Sequence, residues 1–489
     1  MSSIFKHFEF FNFLEKNQII ISFIFLFIIF SSLIFLFYRI YLLENSISEA
    51  LLEQPKTFNP ILARNDSEKI ISAILFRSLI KPNGKGDFVY DLAKNITFNS
   101  STKEYLIDIK KEFWSDGNPI TSDDFVFTFK IIKLDSENPA WPIFKNLEIE
   151  KLDSNTFKIK IKEEGDWEEK NFIYQYLTFK VIPHHIWSKI NYQNWILSKE
   201  NFEPVTNGFF RIKKISKNKD GSFRYIVFEK IKNIEGIKRI KLVFVTNEEE
   251  VRKKFLLKKI NIFLTENPSL YDFVKFKYKI KIPRYFALWI EDKKIKNYFK
   301  DLDLSFLKDK FENLDFYLNL NSQIKLNEKK KTKEEKNKVD LQGKIKIFFP
   351  DNKIIEKILI EIKNNLKEKL KIELVKLDQK TFQEKILNNN DFLKENFVLF
   401  GEKYYIIPYF PFLNYKATER GWEGFVKINE KMKKSGKPEE SFLKEVENLP
   451  IVFLFNINQV YLSNKKLNLE ELYLNDESER YLILPYLKN

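Results

Sequence analysis

The stretch FWSDGNPITSDDFVFTF, residues 113–129, decides how this chain is read. Asp116-Gly117 suits a tight turn, Pro119 stiffens the approach, and Thr121 opens a helix. Thr121 or Ser122 offers an oxygen to the free N–H groups of the first turn, where Asp123 and Asp124 suit the positive end of the helix dipole. Phe125, Val126, Phe129 and Ile132 recur at helical spacing and give that helix one apolar face. These are scaffold roles, so the stretch positions other parts of the fold and does not itself touch a ligand.

Working outward, Tyr105–Lys110 and Thr156–Ile161 alternate apolar and polar residues with period two and read as half-buried strands. The tract KLNEKKKTKEEKNKVD, residues 325–340, has almost no apolar side chain to offset the entropy of ordering and reads as a mobile charged surface loop. Beyond it Lys344–Phe349 alternates, Ile354, Ile355, Ile358, Leu359, Ile362, Leu366 and Leu370 recur at helical spacing, and Lys371–Val375 returns to strand character. A strand, a helix and a strand in that order form a βαβ unit with parallel pairing and a right-handed crossover. A second α/β lobe therefore starts near residue 341 or somewhat earlier.

The chain has 489 residues, of which 44% are hydrophobic and 31% charged, too much core for a disordered chain and too much charge for a multi-span membrane protein. With no cysteine it has no disulfide, no thiolate zinc site, no cysteine nucleophile and no lipidated cysteine. Lys and Arg exceed Asp and Glu by 83 − 68 = 15. Only ten of the cations are arginine, the residue favoured for phosphate and base recognition, so the surplus reads as a solvated lysine-rich surface and no nucleic-acid partner is expected. One run stands apart: Ile19–Tyr38, IIISFIFLFIIFSSLIFLFY, carries no charge, and twenty helical residues span about 30 Å of hydrocarbon. It is longer than the apolar run of a cleavable signal and is followed by Arg39, so an uncleaved signal anchor is expected. Lys6 and Lys16, offset by Glu9 and Glu15, lean toward a cytoplasmic N-terminus. The globular part is then extracytoplasmic, held at the cell membrane by a single pass.

Catalytic patterns are missing. Of the three histidines, His7 precedes the membrane run, and the adjacent His184 and His185 point in different directions and are poorly placed to share a metal. No nucleophile elbow, P-loop, dinucleotide fingerprint or zinc-protease helix is present. Neither an enzyme nor a metal or other cofactor is expected. The stretch FVLFGEKYYIIPYFPFLNY, residues 397–415, joins a strand-like run to Gly401 and then to proline-broken aromatic sequence. It reads either as a ligand-cleft wall, with glycine allowing close backbone approach and tyrosines offering flat faces, or as ordinary packing at a lobe edge.

Several ordered segments resemble family 5 of the extracytoplasmic solute-binding proteins, the peptide- and oligopeptide-binding components of ABC importers. Residues 113–129 resemble the signature W-S-D-G-x-P-[LI]-T-A-x-D-V-x-F-[ST]. Residues 53–61 resemble the first strand with its L-[DN]-P ending, Ile74–Ile80 the F-x-x-L helix, and Asp91-Leu92-Ala93 the D-L-A segment. Val181–Trp187 resembles [IV]-[LI]-P-K-H-x-[WLY], and Pro204–Phe210 resembles P-V-G-T-G-P-[FY]. In the second half the likeness thins: Lys259–Ile262 lacks the glycine and aspartate of G-x-[IV]-D, whereas Asn448–Leu454 resembles the returning [IA]-P-x-[IV]-x-L strand.

The resemblance implies a two-lobed α/β fold of the periplasmic-binding-protein kind (type II, cluster C-like), here with one N-terminal transmembrane helix, and hinge closure around an extended peptide or similar small solute. Residues 1–18 are then cytoplasmic, 19–41 the anchor, 44–270 with 450–489 the first lobe, and 271–449 the second. The implied cleft residues are Lys56, Thr57 and Phe58 from the first strand, facing Phe400, Gly401, Glu402, Tyr404 and Tyr405. Oligopeptide-binding members place an aspartate shortly after such a glycine to hold the peptide ammonium, where this chain has Tyr404, Tyr405, Ile406 and Ile407. Burying an ammonium without a carboxylate costs several kcal/mol, so either Glu402 substitutes or the ligand is held by another end or is uncharged. The implied partners are ABC permease and ATPase subunits, and the chain is expected to be a monomer. The competing expectation is a binding-protein fold used as a surface interaction or sensory module without transport.

Overall fold

The computed structural model describes residues 18–403, 451–473 and 481, apart from 84–87, 100, 136–143, 145–146, 162–176, 232–235, 282–283, 301, 312–313, 316–343, 369, 379–380, 383–391, 393–395 and 468–470. The charged tract 325–340 lies outside the described residues, as do Tyr404 and Tyr405. The first described element is α1 (Gln18–Glu44), a helical backbone of 27 residues whose described apolar side chains, Phe23, Phe27 and Phe37 among them, are largely exposed. Some side chains of α1 lie outside the described set, and among the described residues no helix is long and apolar enough to cross a membrane.

The first lobe is built on β1 (Ser46–Leu51), β8 (Phe210–Lys217), β9 (Phe223–Lys230), β10 (Arg239–Phe244), β11 (Ile262–Thr265), β12 (Phe276–Lys281), β19 (Gln459–Ser463) and β20 (Glu471–Tyr473). They form one sheet in the order β20-β12-β19-β11-β1-β10-β9-β8. β1 runs parallel to β10 from Ser46↔Arg239 to Leu51↔Phe244, and parallel to β11 at Glu49↔Ile262. Apolar clusters cover both faces, which is why β1 and β10 are buried well beyond strict alternation.

A four-stranded antiparallel sheet joins the same lobe: β4 (Ala93–Asn99), β5 (Glu104–Ile109), β7 (Thr156–Ile161) and β6 (Leu147–Lys151) in that order, beside a small hairpin of β2 (Ile80–Pro82) and β3 (Phe88–Tyr90). Tyr105, Ile107 and Ile109 alternate into the core, as period two requires. The helices of this lobe are α2 (Asp66–Leu75), α3 (Ser122–Leu134), α4 (His184–Trp187) and α5 (Glu248–Leu256).

The second lobe holds β13 (Arg284–Trp289), β14 (Leu314–Asp315), β15 (Lys344–Pro350), β16 (Lys371–Leu377), β17 (Phe397–Lys403) and β18 (Ile451–Ile457), in the order β14-β18-β13-β17-β15-β16, with α6 (Lys293–Lys300) and α7 (Lys353–Leu366) packed on its core. The expected βαβ unit is present. β15 and β16 pair in parallel from Lys344↔Lys371 to Pro350↔Leu377, and α7 between them buries Ile354, Ile355, Ile358, Leu359, Ile362 and Leu366. The helix stops at Leu366, and Leu370 packs from the loop beyond it.

Three sequence expectations shift. The first strand ends at Leu51, so residues 53–61 form the segment that follows it, because Pro55 and Pro60 lack the N–H that a ladder needs. The helix expected at Ile74–Ile80 is α2, capped at Asn65 and ended at Leu75, while Ile80 starts a strand. The chain leaves the first lobe between Lys281 and Arg284 instead of at 270, because β12 still pairs with β19, and it returns between Ile457 and Gln459.

Candidate ligand cleft

Strand polarity places the cleft. β19 is antiparallel to β11 at Thr265↔Val460 and to β12 at Ile280↔Gln459, so the carboxyl ends of β1, β10 and β11 lie at the edge where both crossings leave the lobe. In the second lobe Arg284↔Lys403 sets the carboxyl end of β17 at the same crossing, and β15 and β16 run parallel to it. The two α/β lobes thus turn the carboxyl ends of their parallel strands toward each other across a narrow two-strand connection. Crevices outside such ends are where open α/β sheets bind ligands.

Helix starts and loops line the facing edges. Asn247 caps α5 through its side-chain oxygen, which accepts from Glu250 N at 2.9 Å. Asn352 caps α7 by accepting from Ile354 N at 2.9 Å and Ile355 N at 3.3 Å, and its Nδ2 donates across the lobes to Glu266 Oε2 at 3.4 Å. Burial pushes the Glu248 carboxyl up, with Glu266 adding to the effect and Lys353 and Lys357 opposing it. First-lobe carboxylates therefore face second-lobe ammonium groups. Such a rim suits a solute carrying both charges, or a polar one that exchanges its hydration for these groups.

Lys56 is exposed, and its backbone N–H donates to Glu68 Oε1 at 2.8 Å. Thr57 is buried and donates its hydroxyl to Asn201 Oδ1. Phe58 has 0% exposure and packs against Phe202 and Phe223 at ring distances of 5.1 and 5.8 Å, so its ring belongs to the first-lobe core. Phe400, Gly401 and Glu402 lie on β17, their backbones opposite Ala287, Phe286 and Tyr285. Segments carrying Lys56 and Glu402 thus stand on opposite lobes. Sequence reading missed Glu248, Glu266, Asn352, Lys353 and Lys357. The available signal was a capping asparagine before each amphipathic run, which shows a helix start but not what it faces.

The segments recognised in the sequence form one bonded scaffold behind this cleft. Buried Asp124 accepts from Thr121 N at 2.8 Å, Trp114 Nε1 at 3.2 Å and His184 N at 2.7 Å, tying residues 113–129 to 181–187. Ile182 N donates to Thr128 Oγ1 at 3.1 Å, and Ser115 exchanges bonds with Thr206 at 2.7 and 3.0 Å. Arg77 binds Asp91 Oδ1 through Nε and Nη2 at 2.9 and 2.8 Å and lies over the Phe209 ring at 4.6 Å. At Gly208 a Cβ would stand 2.6 Å from Leu75 O, so only glycine fits there. His185 Nε2 lies 2.7 Å from Asp116 Oδ2, and with Asn118 it outweighs the cost of burial and holds that carboxyl below its usual range. Among the described residues no group of three or more His, Asp or Glu side chains is arranged to hold a metal.

Comparisons with known proteins agree with this architecture. The solved structure of the substrate-binding protein CtaP from Listeria monocytogenes superposes with a TM-score of 0.67 at 16% identity, covering 88% of this chain and 99% of that one. The oligopeptide-binding protein OppAIV of Borrelia burgdorferi gives 0.66 at 16% identity, covering 91% and 99%. AppA of Bacillus subtilis, solved with a nonapeptide, gives 0.61 at 18% identity, covering 89% and 97%. NikZ of Campylobacter jejuni, solved with Ni(L-His), gives 0.64 at 16% identity, covering 88% and 96%. A curated Deinococcus radiodurans protein, "Probable ABC transporter-binding protein", is 30% identical over 118 residues, a match spanning 22% of this chain and only 19% of that protein's length. Residues 87–313, just under half of the chain, match the model described as "Bacterial extracellular solute-binding proteins, family 5 Middle", and the two-lobed α/β fold shared with the solved structures agrees with that likeness.

Proposed function

We propose that this chain is a membrane-anchored extracytoplasmic receptor that captures peptides or similar small solutes between its lobes and passes them to the permease and ATPase subunits of an ABC importer, performing no reaction itself. The observation that carries this reading is the pair of facing strand edges joined by two short crossings and bridged from Asn352 to Glu266. A connection of that kind permits hinge closure, because only a few residues at the crossings must change conformation. Peptide capture through main-chain hydrogen bonds, each contributing about 0.5–1.5 kcal/mol net, would use the sequence that follows β17 and the segment carrying Lys56. Lys56 and Glu402 are the proposed end-binding side chains, and Phe400, Gly401, Tyr404 and Tyr405 the proposed wall.

The anchor is α1. A helix of 27 residues is about 40 Å long, enough for the hydrocarbon layer and both headgroup regions, and the Ile19–Tyr38 run carries no charge. Residues 1–18 would lie in the cytoplasm. The test is a thermal-shift screen of the detergent-solubilised full chain against peptide pools, sugars and metal chelates. A ligand at 100 times its dissociation constant adds about 2.7 kcal/mol and raises the midpoint. No shift with any of them would overturn the receptor reading in favour of an interaction or sensory module.

A further inference from the structure

The edge of the first lobe opposite the cleft gathers cations and exposed leucines around the end of α1. Glu44 closes α1 and Ser46 opens β1, and two residues reach at most about 7 Å, so this edge stands at the foot of the helix. Lys238 N and Arg239 N both donate to Asn45 O, at 2.8 and 3.3 Å, and Lys230 N donates to Lys238 O at 3.0 Å. Asn261 clamps Ser46 O and Ser48 N at 3.1 and 2.8 Å, and Ser48 Oγ donates to Lys259 O at 3.2 Å. Lys465 Nζ reaches Ser46 O at 3.4 Å, and the neighbouring Lys466 is exposed.

Just before Lys258 and Lys259, both exposed, Leu256 and Leu257 are 58% and 56% exposed at the end of α5. Ile231, beside Lys230, is 42% exposed. Glu229, the carboxylate on β9 nearest these lysines in sequence, is engaged by Arg211 and Lys213. Burial and the neighbouring Lys238 push the Lys230 ammonium down to about 8.

We infer that this edge is a membrane-contact surface, in which Lys230, Lys238, Lys258, Lys259, Lys465 and Lys466 dock on anionic phospholipid headgroups while Leu256 and Leu257 enter the interfacial layer. The inference rests on the reading of α1 as an anchor. A 27-residue helix long enough to reach through the headgroups delivers Glu44 to their outer face, and the collar then falls within a Debye length of about 8 Å. Rigid bonding of Asn45, Ser46 and Ser48 to the collar fixes its orientation, so the first lobe stands on the bilayer and its cleft edge faces away. Anionic headgroups complement the lysine cluster, and the leucine pair distinguishes a bilayer from a merely charged protein partner.

The test uses the full chain reconstituted in phosphatidylcholine vesicles or in a phosphatidylcholine–phosphatidylglycerol mixture, with lysine acetylation by a membrane-impermeant ester read by mass spectrometry. Lys363 and Lys371, exposed on the second lobe, serve as internal controls. Collar lysines should react about fivefold more slowly in the anionic vesicles, the effect of roughly one favourable headgroup contact per cation, with protection lost in high salt and controls unchanged. The Leu256→Ser, Leu257→Ser double variant, altered only at exposed positions, should lose part of that protection. Equal collar reactivity in both vesicle types, with the chain retained after alkaline carbonate extraction, overturns the docking surface and leaves the anchor standing. Release by carbonate overturns the anchor and the docking surface with it.

Discussion

Removing the Asp124 carboxyl should unfasten the scaffold behind the cleft. Its side chain is 3% exposed and receives three donors, Thr121 N, Trp114 Nε1 and His184 N. Asp124→Ala leaves all three N–H groups without this partner, and at about 1–2 kcal/mol for each stranded donor the loss should be about 4 kcal/mol. A protein stability of about 5–15 kcal/mol makes that a large fraction of the whole. Asp124→Asn keeps one acceptor oxygen but turns an NH2 toward a donor, and should cost about 2 kcal/mol. Urea unfolding of the full chain in detergent, followed by tryptophan fluorescence, reads the difference directly. A loss below about 1 kcal/mol for Asp124→Ala would refute the assignment of this residue as the junction between the two motif segments.

The same residue makes a signed prediction for pH. Burial is the largest influence on Asp124 and raises its carboxyl above the usual range despite the three donors. The folded chain therefore holds this proton more tightly than the unfolded chain. Stability from the group is fully present below the unfolded value of about 4 and is lost as pH rises through the folded value. The stability gap between the wild type and the non-titrating Asp124→Asn variant should narrow from about pH 4 upward. A gap that widens over that range would show that the three donors, and not burial, dominate the site.

Gly208→Ala would place a Cβ 2.6 Å from Leu75 O and 2.7 Å from Ile74 O, and should cost at least about 2 kcal/mol in the same unfolding assay. Asn352→Asp keeps the cap of α7 but sets a carboxylate against Glu266 in place of a donor, so small-angle scattering of the ligand-free chain should shift toward a more open form. Glu266→Ala removes the same bond without touching the cap. At about 1 kcal/mol it should weaken apparent ligand affinity by up to about fivefold, as measured by calorimetry. Tyr481→Phe leaves the buried carboxylate of Glu49 with one fewer tyrosine donor, Tyr461 remaining at 3.3 Å, and should lower stability by about 1–2 kcal/mol in the same unfolding assay.

What the sequence made legible follows from which forces are local. The alternation of Tyr105, Ile107 and Ile109, the helix start at Thr121 and the βαβ unit from Lys344 to Leu377 are written in spacings of two, three and four residues, and each appears where it was expected. Phe58 shows where that reasoning stops. Its place in a recognised segment suggested a cleft wall, but Asn201, 144 positions away from Thr57, takes the Thr57 hydroxyl, and the Phe58 ring turns inward to Phe202 and Phe223. The Glu266–Asn352 bridge joins residues 86 apart on different lobes, and no periodicity within either segment predicts it. Sheet order hides in the same way: β1 lies between strands that follow it by some two hundred residues, so its buried face was legible while its neighbours were not.

One consequence of that sheet order joins the two ends of the molecule. Because β1, β10 and β11 are parallel, their amino ends share one edge and their carboxyl ends the other. The chain enters β1 directly from α1, so whatever α1 is fixed to lies at the amino edge, and the cleft lies a strand length away, about 20 Å for six residues. Among the described residues, the second lobe is reached through crossings at the carboxyl edge, between Lys281 and Arg284 and between Ile457 and Gln459. If the first lobe is held by its helix and its cationic collar as proposed, hinge motion is carried by the second lobe. Closure would then change the height of α7 above the bilayer while leaving β1 where it is, a difference that energy transfer from bilayer dyes to labels at Lys363 and at Lys213 would resolve with and without ligand.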